Sequence, residues 1–193
     1  MSWNHDLFRF INQDLANPAL DVFFTAFIIL GTIYVWLLFC PILWFKKWRS
    51  EAVDLFFLIL VVLAVTTILK FVFAAPRPSD IRVVPLPLPG YFGYDIYSFP
   101  SNHASRAFAC ALFLSAKFRK WTVPLFVYAF LICFAKIYVG AHYPLDVIGG
   151  AIFGGVIGWV FLQLGRYPPY AVRREKLVSK LETFGRRLLG KTY

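Results

Sequence analysis

At 193 residues the chain holds one domain or at most two small ones. Hydrophobic residues make up 60% of it, aromatics 20% and charged residues only 16%, whereas a soluble domain averages about 25% charged. That balance excludes a soluble globule, a disordered chain and a disulfide scaffold, and a net charge of +10 in so apolar a chain speaks of membrane topology before nucleic acid.

The N-terminus lacks the basic start and compact apolar run of a plain signal peptide. Residues 2–16 instead place Trp3, Leu7, Phe10, Ile11 and Leu15 at helical spacing, which predicts a helix lying on the outer surface or packed on a bundle. A membrane helix needs about 20 mostly apolar residues. Five segments meet that need, at about Ala19–Trp44, Glu51–Ala75, the stretch from the Pro100 region to Ala116, Thr122–Val139 and Pro144–Leu164. Asn17 is placed to cap the first, with Pro18 at its first position. In the fifth, Gly150, Gly154 and Gly158 recur every four residues, a seam that lets helices approach closely, here within one chain. The tail carries Leu177, Leu181, Phe184 and Leu188 on one stripe with Arg and Lys elsewhere, which suits anionic lipids of an inner leaflet. Cys40, Cys110 and Cys133 all fall in apolar runs and form neither a disulfide framework nor a metal set.

The expected fold is therefore all-α: a polytopic membrane bundle of about five spans, with amphipathic helices at both ends. It is a single domain over 1–193, with its core at about 19–165, a surface helix at 1–18 and a basic tail at 166–193. Lys46, Lys47 and Arg49 follow the first span, Lys117, Arg119 and Lys120 follow the third, and the tail adds eight more basic residues from Arg166 to Lys191. With five spans all three segments share one side, which the positive-inside rule makes cytoplasmic. The 76–103 and 139–144 loops then face outward.

The outward ends carry the polar residues that matter. Lys70 lies near the end of the second span; taken alone, it is a lysine that snorkels to the interface. Arg77 follows seven residues later, between Pro76 and Pro78, where the chain must turn. Ser98-Phe99-Pro100-Ser101-Asn102-His103 opens the third span, placing backbone N–H groups, a hydroxyl and an imidazole at a helix N-terminus; Ser98 or Ser101 serves equally well as a simple cap. Lys136 precedes His142-Tyr143-Pro144-Leu145-Asp146. Pro144 suits the first helical position, so Tyr143 caps the fifth span and the Asp146 carboxylate reaches back. Its natural target is the Nδ1–H of His142, which would leave Nε2 as a lone-pair nucleophile. Two helix N-termini and the cations Lys70, Arg77 and Lys136 are thus placed to converge on one anion. A nucleophilic His142, an orienting Asp146 and His103 as acid describe phosphoryl transfer.

These three segments resemble the signature of the type 2 phosphatidic acid phosphatase (PAP2) superfamily of lipid phosphate phosphatases. That signature is K-x6-RP, PSGH and SR-x5-H-x3-D; here it stands as Lys70-x6-Arg77-Pro78, Pro100-Ser101-Asn102-His103 and Ala135-Lys136-x5-His142-x3-Asp146, over about residues 50–165. The resemblance implies a helical bundle, a His142 nucleophile, a His103 acid and phosphate contacts from Lys70, Arg77, Ser101, Asn102 and Lys136, with no metal and no cofactor. Asn102 replaces Gly, Ala135 replaces Ser, and Lys136 replaces Arg, keeping charge without the bidentate fork. The family commonly has six spans, the first here replaced by the short N-terminal helix.

The implied protein is a multi-pass bacterial inner-membrane enzyme working at the periplasmic face, its C-terminus cytoplasmic. The implied substrates are lipid A 1-phosphate, undecaprenyl pyrophosphate or phosphatidylglycerophosphate. Its partners are that lipid and, at the tail, anionic inner-leaflet lipids, with no nucleic acid. A lipid phosphotransferase using the same phosphohistidine, or a non-catalytic lipid transporter, are the alternatives; a soluble haloperoxidase-like oxidase is excluded by the spans.

Overall fold

A computed structural model of the chain describes residues 3–79, 81, 82, 84 and 96–188, and among these it is helical with no strand. Much of the 76–103 loop (residues 80, 83 and 85–95), the Leu188 side chain and Lys191 of the tail lie outside the described residues. Helix α1 (Trp3–Arg9) runs on into a π-helical turn, Phe10–Asp14, and α2 (Pro18–Leu30) leaves it at 115°. The Asn17 side chain accepts from the Ala19 N–H at 2.8 Å, so the cap and the adjacent proline start α2 as the sequence indicates. Helices α3 (Ile33–Phe45) and α4 (Arg49–Phe73) follow, then α5 (Asn102–Lys117), α6 (Thr122–Tyr138), α7 (Pro144–Arg166) and α8 (Pro168–Leu188).

Three of these are long and apolar enough to cross a membrane, Arg49–Phe73, Arg119–Tyr138 (α6 with its 3₁₀ lead-in) and Pro144–Arg166. The other two expected spans differ from the sequence reading. The first is broken into α2 and α3 at Gly31-Thr32. A Cβ at Gly31 would stand 2.8 Å from Ile132, so the backbone presses directly on α6. Two carbonyls freed at the break are taken by side chains from other helices: Tyr128 Oη donates to Leu30 O at 2.6 Å and Arg106 Nη2 donates to Gly31 O at 3.2 Å. A broken helix is tolerated at membrane depth when the protein satisfies its backbone in this way. The third span is the 16-residue α5, about 24 Å long at 1.5 Å per residue. It lies at the centre of the bundle, with Ala104, Ser105, Arg106, Ala107, Ala109, Cys110 and Ala111 all buried, so few of its residues meet lipid.

Helix α5 reaches that position because its neighbour has no side chains in the way. Cβ atoms at Gly150, Gly154 and Gly158 would lie 2.6, 2.0 and 2.9 Å from the carbonyl oxygens of Ser101, Ser105 and Ala109. The glycine seam of α7 is therefore an internal contact with the backbone of α5. Gly154→Ala is expected to destabilise the bundle by about 1–3 kcal/mol through overpacking. Gly155→Ala meets nothing within 4 Å and supplies the control. Thermal unfolding in detergent checks the pair: a lowered midpoint for the first only is the expected result.

Helices stand at both ends of the chain as expected, and polar contacts decide which of their residues face the bundle. In α1 and its π-turn the buried side chains are Phe8, Ile11 and Asn12, while Trp3, Leu7 and Phe10 point outward. The cause is polar anchoring. Asn4 Oδ1 accepts from Leu145 N at 2.9 Å, and Asn12 Nδ2 donates to Tyr138 O at 2.7 Å. Arg82 adds a brace, donating to both Asp21 carboxylate oxygens at 3.1 and 2.6 Å. At the other end of the molecule Val178 is the buried residue of α8, and Leu181 and Phe184 remain exposed. Asp54 of α4 accepts from Tyr170 Oη and Arg174 Nη1, each at 2.6 Å, which pins α8 across the base of the bundle. Arg49 pairs with Glu182, and Lys117 with Glu51 at 2.6 Å. The three basic segments thus share one end of the bundle. Lys70 lies 21 residues beyond Arg49 on α4, about 30 Å away at the opposite end.

Candidate active site

At that opposite end the N-termini of α5 and α7 are tied together, Ser101 N donating to Asp146 O at 3.0 Å. Ser101 is the N-cap of α5, its hydroxyl accepting from Ala104 N at 3.5 Å. Asn102 is the first helical residue. Among the described residues only Lys47 and Ala74 are non-glycines with positive φ, so Asn102 stands where the backbone has no need of glycine.

His142 is delivered by the end of α6. Gly140 takes a left-handed conformation, φ 80°, which an L side chain rarely adopts. The turn lets Ala141 N and His142 N both donate to Lys136 O, at 3.0 and 3.2 Å. Lys136 itself is buried, as is Ala135 beside it. Asp146 Oδ2 accepts from Tyr143 N at 2.8 Å, completing the capping box expected from Pro144 and Asp146.

One expected contact is different. His142 Nδ1 and Asp146 Oδ2 are 3.6 Å apart, beyond a direct hydrogen bond. The Ser98 hydroxyl stands between them. It donates to Asp146 Oδ2 and lies 3.3 Å from His142 Nδ1. Sequence spacing offered Ser98 only as a possible cap; its position depends on contacts made 44 and 48 residues away.

The cations gather round this group. Lys70 is 2% exposed, so it is no snorkelling lysine: its Nζ donates to the carbonyl oxygens of Tyr97 and Ser98, at 2.5 and 3.2 Å. Arg77 Nη1 donates to Ala141 O at 2.7 Å, next to His142. Burial holds the His142 imidazole below its ordinary value, assisted by the positive charges of Arg77 and Lys70 and opposed by Asp146, so the ring is neutral at pH 7. His103 lies within the electrostatic reach of Lys136, Arg106, His142 and Lys70. All eight residues singled out by the sequence are thus at one end of the bundle, and Ser98 and Arg106 join them. Among the described residues no group of three or more His, Cys, Asp or Glu side chains is arranged to hold a metal ion.

The model of the PAP2 superfamily matches residues 51–169, which contain every one of these side chains. The chain belongs to the PAP2 superfamily. It is 32% identical over 168 residues to an undecaprenyl-diphosphatase of Sulfolobus acidocaldarius, covering 85% of this chain and 79% of that one. It is 43% identical to a lipid A 4'-phosphatase of Bacteroides thetaiotaomicron, but over only 67 residues, 34% of this chain and 30% of that protein's length. The crystal structure of Aquifex aeolicus LpxE superposes with a TM-score of 0.73 at 35% identity, covering 84% of this chain and 96% of that one. A Bacillus subtilis PAP2-type phosphatidylglycerolphosphate phosphatase shares the fold, with a TM-score of 0.68 at 19% identity over 86% and 88% of the two chains. The PAP2 membrane-bundle fold is the one these helices form.

Proposed function

We propose that this chain is an integral-membrane lipid phosphatase that removes phosphate from a lipid phosphate or pyrophosphate through a phosphohistidine on His142. The observation that carries the reading is the buried His142 joined to Asp146 through Ser98, where the N-termini of α5 and α7 meet and Arg77 binds the adjacent Ala141 carbonyl. The cations and the first-turn amides, with Ser101 and Asn102, hold the phosphate oxygens and take up their charge. The Nε2 lone pair attacks phosphorus, the bond to the lipid oxygen breaks, and His103 gives that oxygen its proton. A water then attacks phosphorus and gives a proton to His103; the P–Nε2 bond breaks, its electron pair returns to Nε2, and inorganic phosphate and free His142 are left.

One carboxylate and two histidines are too few to hold the paired metals of a two-metal phosphatase, and three cationic side chains supply the equivalent charge. The substrates that the named relatives support are undecaprenyl pyrophosphate and phosphorylated lipid A, with phosphatidylglycerophosphate a third. The enzyme sits as a single domain in the inner membrane, its site at the periplasmic face. Its C-terminal helix lies on the anionic cytoplasmic leaflet, since the basic segments occupy the end remote from the site.

Phosphate release by purified protein in EDTA, from these three lipids, tests the chemistry. Turnover of at least one of them is expected in EDTA; complete loss restored by Mg²⁺ or Zn²⁺ would remove the assignment. Transfer of the phosphate to a second lipid, with none set free, would make the chain a phosphotransferase. In sealed vesicles of known orientation the phosphate should appear on the side opposite the basic tail. Its appearance on the tail side would place the site in the cytoplasm.

A further inference from the structure

We infer that Ser98 is a positioning residue: its hydroxyl bridges Asp146 to His142 and fixes the imidazole with its proton on Nδ1. The inference rests on His142 being the nucleophile. Its basis is the direction of the hydrogen bonds. A hydroxyl has one proton to give, and an ionised carboxylate only accepts. Ser98 therefore spends its proton on Asp146 Oδ2. Toward His142 Nδ1, 3.3 Å away, it can act only as acceptor, so the ring nitrogen carries the hydrogen. A neutral imidazole protonated at Nδ1 has its lone pair on Nε2.

The bridge is held from every side. Ser98 is fully buried. Its N–H donates to Ala75 O at 2.8 Å, just beyond the end of α4, and its carbonyl accepts from Lys70 Nζ at 3.2 Å. Asp146 is itself fixed by its bond from Tyr143 N at 2.8 Å. Lys70 thus has a second task besides any contact with phosphate, because it clamps the segment that carries the hydroxyl. Ser98→Ala leaves both backbone ties in place and deletes only the bridging oxygen.

The expected result is a fall of about 10- to 100-fold in kcat with KM little changed, the scale on which a group that orients a metal-bound histidine acts. The decisive readout is the tautomer. The chain has three histidines, so ¹⁵N-histidine labelling gives few ring signals, and those of His142 are identified by their loss in His142→Asn. In the wild-type protein the proton is expected on Nδ1; in Ser98→Ala the two tautomers should mix. A wild-type ring protonated on Nε2 overturns the bridge without recourse to any variant at Ser98, and leaves the nucleophile question to be decided separately. So does a Ser98→Ala protein with unchanged kcat, or one that loses activity while His142 keeps its proton on Nδ1. Retained turnover in His142→Ala is the different result that would overturn the phosphohistidine reading itself.

Discussion

His142→Ala is expected to lower phosphate release by about 10⁴-fold or more while the protein stays folded, the scale on which removal of a covalent nucleophile acts. The loss is large because the lone pair that attacks phosphorus is gone, and the other imidazole of the site, His103, is assigned to the leaving oxygen. Lysine and arginine at neutral pH have no lone pair to offer. The hydroxyl beside His142, that of Ser98, is committed to Asp146. The fold should tolerate the change, since His142 is held mainly through its backbone, by Lys136 O, and by the turn at Gly140. Single-turnover release in detergent, with the thermal midpoint measured alongside, separates chemistry from stability. Asp146→Asn should lose activity too. It weakens the charge that stabilises the imidazole and disturbs the carboxylate that accepts from both Ser98 and Tyr143. Near wild-type release by His142→Ala would rule out a phosphohistidine.

The residues of the site were legible in the sequence because their spacing is local. Lys70 and Arg77 straddle one helix end, Ser101 to His103 open one helix, and Lys136 to Asp146 span one turn between two helices. Local rules of capping and proline placement suffice for each, and the structure keeps the Asn17 cap, the Pro144 start and the Asp146 capping box. Contacts between distant segments were not legible. The break at Gly31-Thr32 exists because Arg106 and Tyr128 take the carbonyls there, and no window around residue 31 contains either. The direct bond expected between Asp146 and His142 ignored a hydroxyl arriving from the 96–101 segment. Which face of each terminal helix packs inward was hidden for a related reason. A hydrophobic stripe says which side chains avoid water, but next to lipid the outward face is equally apolar. In α1 the polar anchors Asn4 and Asn12 decide which face packs inward, and in α8 Tyr170 and Arg174 do so. Lys70 shows the same limit in reverse, since a terminal lysine snorkels by default and only its bonds to the 97 and 98 carbonyls hold it inside.

His103→Ala is expected to impair the enzyme in proportion to how poor the leaving group is. A general acid contributes about 10²–10⁴-fold when the departing oxygen needs a proton. The alkoxide leaving from phosphatidylglycerophosphate is a strong base and needs one, so hydrolysis of that lipid should fall by about that factor. The lipid monophosphate leaving from undecaprenyl pyrophosphate is already a stable anion, so its loss should be much smaller. Lipid A 1-phosphate should lie between them, because its leaving oxygen is anomeric and more acidic than that of a simple alcohol. The comparison is made on kcat/KM for the three lipids with one preparation of the variant, after a pre-steady-state burst has shown which step limits each. His103 is in the first turn of α5, one residue past Asn102, at the same end of the bundle as His142. Equal losses on all three substrates would instead make His103 a phosphate ligand, since a ligand to the transferred group is indifferent to what departs from it. Arg106, one turn further along α5 and bonded to the Gly31 carbonyl, is too weak an acid to take over the proton transfer.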